Sequence, residues 1–189
     1  MAKITVTNQL SALRAVFNKM DEVYYSKTPL TVSKLASAIT VDMELPVLSE
    51  GVTFNTGEPE TTEIKLTTGA NWVTRTEKGD SDISLQVASL KGIINDLFMD
   101  KKEEIVSTSN LSEDESYLGA AYSMAPKKIS GALIMMSDNK DVIVILPCIE
   151  MYGSLVVADG DNPAYFNVTV TPLENEDGSD IFILEKQAT

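Results

Sequence analysis

Few residues in this chain have the types and spacing that chemistry needs. Asp159, Asp161 and Asn162 resemble the opening of a calcium loop. Pro163 and the alternating stretch after it, however, occupy the positions where such a loop supplies its further ligands and a bidentate Glu. Asp-Gly and Asn-Pro also form ordinary turns, so this cluster reads as a turn and no metal is assigned. Asp80 and Asp82 flank Ser81 at a strand start, where turn formation and edge protection account for them. The chain has one cysteine and no histidine. The usual zinc sites, Ser-His-Asp triads and Cys-His pairs therefore cannot be built from it. Cys148 lies in the apolar run 142–149 and reads as a small core residue.

Phosphate-loop and dinucleotide glycine patterns are absent from the sequence. A pair of carboxylates for glycoside cleavage is compatible with the composition, but a single Trp gives a sugar cleft little support. No cofactor is indicated, and the chain is read as a non-enzyme. With 28 acidic against 15 basic residues, the net charge of −13 repels nucleic acid phosphates and argues against a DNA-gripping groove. It also keeps a soluble protein from aggregating. No uninterrupted apolar segment is long enough to span a membrane. Met1-Ala2-Lys3-Ile4-Thr5-Val6 lacks a signal-peptide core, so synthesis in the cytoplasm is expected. The sequons at Asn110 and Asn167 are then incidental.

The clearest organiser runs from Ser81 to Met99, where the hydrophobic period changes. Ile83, Leu85 and Val87 alternate with Ser84, Gln86 and Ala88, as in a strand with one buried face. Ser89 then sits where an N-cap belongs, and Leu90, Ile93, Ile94, Leu97 and Phe98 recur at helical spacing. The expectation is a strand leading into one amphipathic helix.

Upstream, residues 1–45 form an N-terminal arm or extension. Leu10, Leu13, Val16, Phe17 and Met20 mark one face of a helix, and residues 32–39 hold either a second short helix or extended chain. This region either covers one end of the core or packs on a neighbouring subunit. The β domain, residues 46–184, begins with short strands at Val47-Leu48 and Val52-Thr53-Phe54. Strands at 61–68 and 71–76 follow, joined through Gly69-Ala70.

Residues 101–128 show no clear period, so they make either a projecting loop with some strand at its base or a subunit contact. Leu111, Tyr117, Leu118, Tyr122 and Met124, with Ile105, supply apolar surface for such a contact, or fold back on their own core. Residues 129–136 and 141–146 flank the turn Ser137-Asp138-Asn139-Lys140 as a hairpin. Further strands are expected at 150–157, 164–171 and 181–184, and residues 185–189 as a frayed tail. Met135, Met136 and Met151 read as core filler.

This order of elements resembles the phage major tail tube proteins, a superfamily that includes the tube of type VI secretion. The residues that carry the likeness are Gly79-Asp80-Ser81-Asp82-Ile83-Ser84-Leu85-Gln86-Val87, Ile93-Ile94-Asn95-Asp96-Leu97-Phe98, Ser130-Gly131-Ala132-Leu133-Ile134 and Asp161-Asn162-Pro163-Ala164-Tyr165-Phe166. The resemblance implies a mainly β fold with minor α, a β-sandwich or barrel with one amphipathic helix packed on it. It further implies self-assembly into homo-hexameric rings stacked as a hollow tail tube. Its partners would be copies of itself, other phage tail components, and DNA passing without specific binding through an acidic lumen. The location would be the tail of the virion. Another ring or neck component of a virion, or a monomeric β-sandwich module binding carbohydrate or protein, are the alternatives.

Overall fold

The computed structural model describes residues 15–108, 116–157 and 163–187. Among them the chain is mainly β, with two short helices, and its contacts divide it into two compact units.

The first unit comprises the described parts of Met1–Leu45, Gly131–Cys148 and Glu174–Thr189. Its elements are β1 (Met20–Ser26), α1 (Val32–Leu35), β2 (Met43–Glu44), most of β9 (Ile129–Ser137), the first half of β10 (Val142–Val156) and β12 (Phe182–Glu185). The strands pair in the order β2-β1-β9-β10, and β12 also pairs with β10. Val23 and Tyr25 of β1 are buried while Glu22 and Tyr24 alternate with them, the period-two pattern of a half-buried strand. Ala132, Leu133, Ile134 and Met135 of β9 are all buried, so this strand is covered on both faces and reads as an unbroken apolar run. Leu30, Ala132, Ile134 and Ile145 form one cluster, flanked by Leu35, Ile143 and Phe182.

The expected helix ending at Met20 is corrected here. Residues 15–18 are neither helix nor strand, and Met20 opens β1; residues 1–14 lie outside the described part. Val23 and Tyr25, buried against β9, favour an extended chain whose alternation the sequence pattern upstream obscured. The second short helix exists but is only one turn, with the Lys34 ammonium on the Pro29 carbonyl at 2.8 Å. The tail is ordered further than expected: Glu185 pairs with Val142, and the Lys186 N–H donates to the Asp141 carbonyl at 2.8 Å.

The second unit comprises the described parts of Pro46–Ser130 and Ile149–Leu173. It contains β3 (Val47–Asn55), β4 (Glu60–Lys65), β5 (Asn71–Glu77), β6 (Asp82–Val87), α2 (Gly92–Phe98), β7 (Asp100–Thr108), β8 (Tyr117–Ser123), the rest of β10 and β11 (Tyr165–Pro172). Its main strands pair antiparallel in the order β10-β11-β6-β3. Ile83, Leu85 and Val87 are buried, as are Phe166, Val168 and Val170, matching the alternation of both strands. α2 buries Ile94, Leu97 and Phe98. The Phe98 and Phe166 rings stack at 5.0 Å, and Gly153 leaves room for Phe98, whose ring a Cβ at that position would overlap.

Several boundaries differ from the sequence reading. The two strands expected at 141–146 and 150–157 are one, β10, which continues through Pro147. Pro147, with no N–H to donate, lies between Ile145, the last residue paired with β12, and Ile149, the first paired with β11. The two segments expected at 47–54 are also one strand, irregular in register between Val47 and Val52. Finally, β4 and β5 form a separate two-stranded sheet on which every residue is exposed, so neither strand has a buried face among the described residues.

The register explains how that sheet is held. Asn55 faces Asp82, and Glu60 faces Glu77. Moving from Asn55 to Glu60 thus moves the partner back by an equal step, and β3–β4 with β5–β6 form one ribbon interrupted at 56–59 and 78–81. At the interruption Gly57 has φ 86, a conformation that favours glycine, and its N–H bonds the Asn55 side chain at 2.9 Å.

Candidate subunit interface

The segment 101–128, expected as a loop or a contact, contains a two-stranded sheet. β7 and β8 pair antiparallel from Asp100 opposite Ser123 to Thr108 opposite Tyr117. Lys101-Lys102-Glu103-Glu104 puts four consecutive charges at the start of β7, which hid the strand from a hydrophobic pattern.

Two side chains, one on the hairpin and one just after it, tie this region to α2. The Tyr122 hydroxyl donates to Asp96 Oδ1 at 2.7 Å. This carboxylate bond, then burial, pushes the Tyr122 phenol up to about 12. From the segment after β8, the Lys127 ammonium donates to the carbonyls of Asp96 at 2.6 Å and Met99 at 3.2 Å. Those carbonyls belong to the C-terminal turn of α2, where backbone acceptors have no intrahelical partner and a cation is favoured. At the other end, the helix starts later than expected. Lys91, whose side chain makes no capping bond, is the N-cap residue, and the Ser89 hydroxyl accepts from the Lys91 N–H at 3.3 Å.

Between α2 and the hairpin lies an open groove of about 420 Å³. Ile93, Leu118 and Tyr122 provide its apolar and aromatic lining, and Asp96, Lys101 and Glu104 its charges. Lys101 and Glu104 approach each other at 3.8 Å across largely exposed side chains, a pairing that contributes little in water. Ile93 was expected on the inward stripe of the helix; it is 60% exposed, and Leu90 is exposed as well, so the buried stripe is the narrower set Ile94, Leu97 and Phe98.

Of the residues singled out as interface candidates, Leu118 and Tyr122 come together in this groove. Tyr117, adjacent to Leu118 on the strand, is directed to the opposite face by the alternation of β8. Met124 lies just past β8 and is 94% exposed. Leu111 lies outside the described residues, as do Asp159, Asp161 and Asn162. Ile93 and the exposed Trp72 and Val106 went unrecognised as surface groups, because an apolar residue at helical or strand spacing reads as core.

Among the described residues no group of three or more His, Cys, Asp or Glu side chains is arranged to hold a metal ion, and no helix is long and apolar enough to cross a membrane. Cys148 is half-buried. No family model matches the chain, and no curated protein is similar to it.

Proposed function

We propose that this protein is a structural, self-assembling virion component of the tail-tube type, in which copies form hexameric rings that stack into a hollow tube for DNA passage. The observation that carries this reading is the fully exposed β4–β5 sheet. A two-stranded sheet with no buried side chain is marginal on its own in water, and a neighbouring copy supplies the missing cover. The exposed Ile105, Val106 and Leu118 of the second hairpin add to this surface. In this reading the strands complete a sandwich or barrel across copies, and open strand edges become paired rather than aggregation-prone. The acidity acquires a role as well: a lumen of like charge lets phosphates slide, since no run of cations releases counterions to hold them. The chain acts without catalysis, cofactor or metal, alongside other tail components.

Light scattering on the purified chain over a range of concentrations, with negative-stain microscopy of the same fractions, tests the proposal. Rings or tubes are expected. Closed rings that never stack favour a neck or ring component, and a strict monomer at all concentrations favours a binding module and overturns the assembly reading.

A further inference from the structure

We infer that the outer edge of β12 is a docking site for residues 1–14 of the same chain, which add hydrogen bonds to that edge and bring charge of opposite sign to it. The contact is independent of the assembly reading above.

The edge is open on one side. Among the described strands β12 pairs with β10 alone, from Val142 opposite Glu185 to Ile145 opposite Phe182. The Lys186 N–H donates to the Asp141 carbonyl at 2.8 Å, which continues that register by one residue. Hydrogen-bonded and non-bonded pairs alternate along an antiparallel ladder. Leu184 and Phe182 therefore bond to β10, and the N–H and C=O groups of Ile183 and Glu185 face outward. The Ile183 side chain is 66% exposed, and Leu184 is exposed as well. An uncovered edge of this kind pairs with other chains, and native proteins cover it.

Charge names the cover. Residues 174–185 contain Glu174, Glu176, Asp177, Asp180 and Glu185 and no base; Lys186 follows. Asp177 is occupied by the Val32 N–H at 2.8 Å, while Glu174, Glu176 and Glu185 are exposed. Residues 1–14 carry the reverse balance, Lys3 and Arg14 with no acid, and Lys19 follows. In a chain of net charge −13, that basic segment and this acidic stretch attract. Ile4, Thr5, Val6 and Thr7 are all β-branched, the residue type suited to an added strand.

The segment also begins beside the edge. The Lys19 carbonyl accepts from the Asp138 N–H at 2.9 Å, and the Val16 carbonyl from Asn139 Nδ2 at 3.5 Å. Residue 16 thus lies at the turn between β9 and β10, and Asp141 of that turn holds Lys186 just past the end of β12. Residues 1–14 reach at most about 46 Å, against an edge about 13 Å long. So short a tether gives the segment an effective concentration in the millimolar range at its own edge, which favours it over a second copy.

Amide hydrogen exchange, resolved by residue on the full chain in dilute solution, tests this, with Leu184 as the internal reference bonded to β10. The Ile183 and Glu185 amides should exchange about as slowly as Leu184. Lys3→Glu/Arg14→Glu reverses the charge and Val6→Pro removes a strand donor. Each should quicken those two amides about tenfold or more and leave Leu184 unchanged. Carbodiimide crosslinking of mixed ordinary and nitrogen-15 chains should join Lys3 to Glu185 or its acidic neighbours within one isotope class. Fast exchange at Ile183 and Glu185 in wild type overturns the inference, as does protection that survives both variants. Crosslinks between isotope classes would make the occupant a second copy and overturn the same-chain contact. Each outcome is read without reference to whether copies form rings, so failure here leaves the assembly reading standing.

Discussion

Gly79 lies against the carbonyl of Glu58, two backbones crossing at the root of the β4–β5 ribbon with no space for a side chain between them. Gly79→Ala forces the strands apart, an overpacking of about 1–3 kcal/mol. Gly57→Ala adds a Cβ both at φ 86 and against the opposing backbone, with a cost of about 1–3 kcal/mol. Hydrogen exchange should rise in residues 60–77 in both variants and stay unchanged in β6 and β11. Equal loosening of the whole unit would show that the crossing supports the core rather than the ribbon.

Phe98 and Phe166 are at most 1% exposed and stack at 5.0 Å, joining α2 to β11. Phe98→Ala removes that contact and leaves a cavity, which should cost about 3–5 kcal/mol in urea denaturation. Gly153→Ala, by contrast, places a Cβ against the Phe98 ring and should cost about 1–3 kcal/mol through crowding.

The Tyr122 phenol, hydrogen-bonded to Asp96, ionises at about 12 instead of near 10. A phenol held protonated in the fold stabilises it fully below pH 10, and this contribution is lost as pH rises through about 12. Ultraviolet titration of Asp96→Asn should show the Tyr122 transition moving down toward 10, because the carboxylate that opposes phenolate is gone. No movement would mean that the bond to Asp96 is absent in solution.

Ser137 is fully buried where β9 enters the turn before β10. Its hydroxyl accepts from the Val142 N–H at 3.2 Å and has Asn139 Oδ1 at 2.7 Å as an acceptor. Ser137→Ala leaves the Val142 N–H without that partner and should lower stability by about 1–3 kcal/mol. An unchanged urea midpoint would show that water replaces the hydroxyl.

The candidate interface was only partly legible. Leu118 and Tyr122 stood out as apolar residues in a polar region, and the structure gathers both in one groove. Ile93 could not be separated from Ile94 by periodicity, since a short helix has too few turns to define the edge of its buried face. The strand expected at 71–76 exists, yet Trp72 and Val73 on it are both exposed, so both faces of that strand are open. Burial depends on what lies across from a face, and that information is absent from the strand itself.

Local order was largely written in the chain. Alternation in 83–87 and 166–170 determined two core strands, Ser137 to Lys140 determined a turn, and the step from period two to helical spacing placed α2. These are short-range consequences of side-chain geometry. Only the tertiary structure decided that β10 runs unbroken through Pro147, that the charged β7 pairs with the uncharged β8, and that β3–β4 and β5–β6 share one register across a glycine crossing. Each of those depends on hydrogen bonds and close approaches between residues distant in sequence, which no window of neighbouring residues contains.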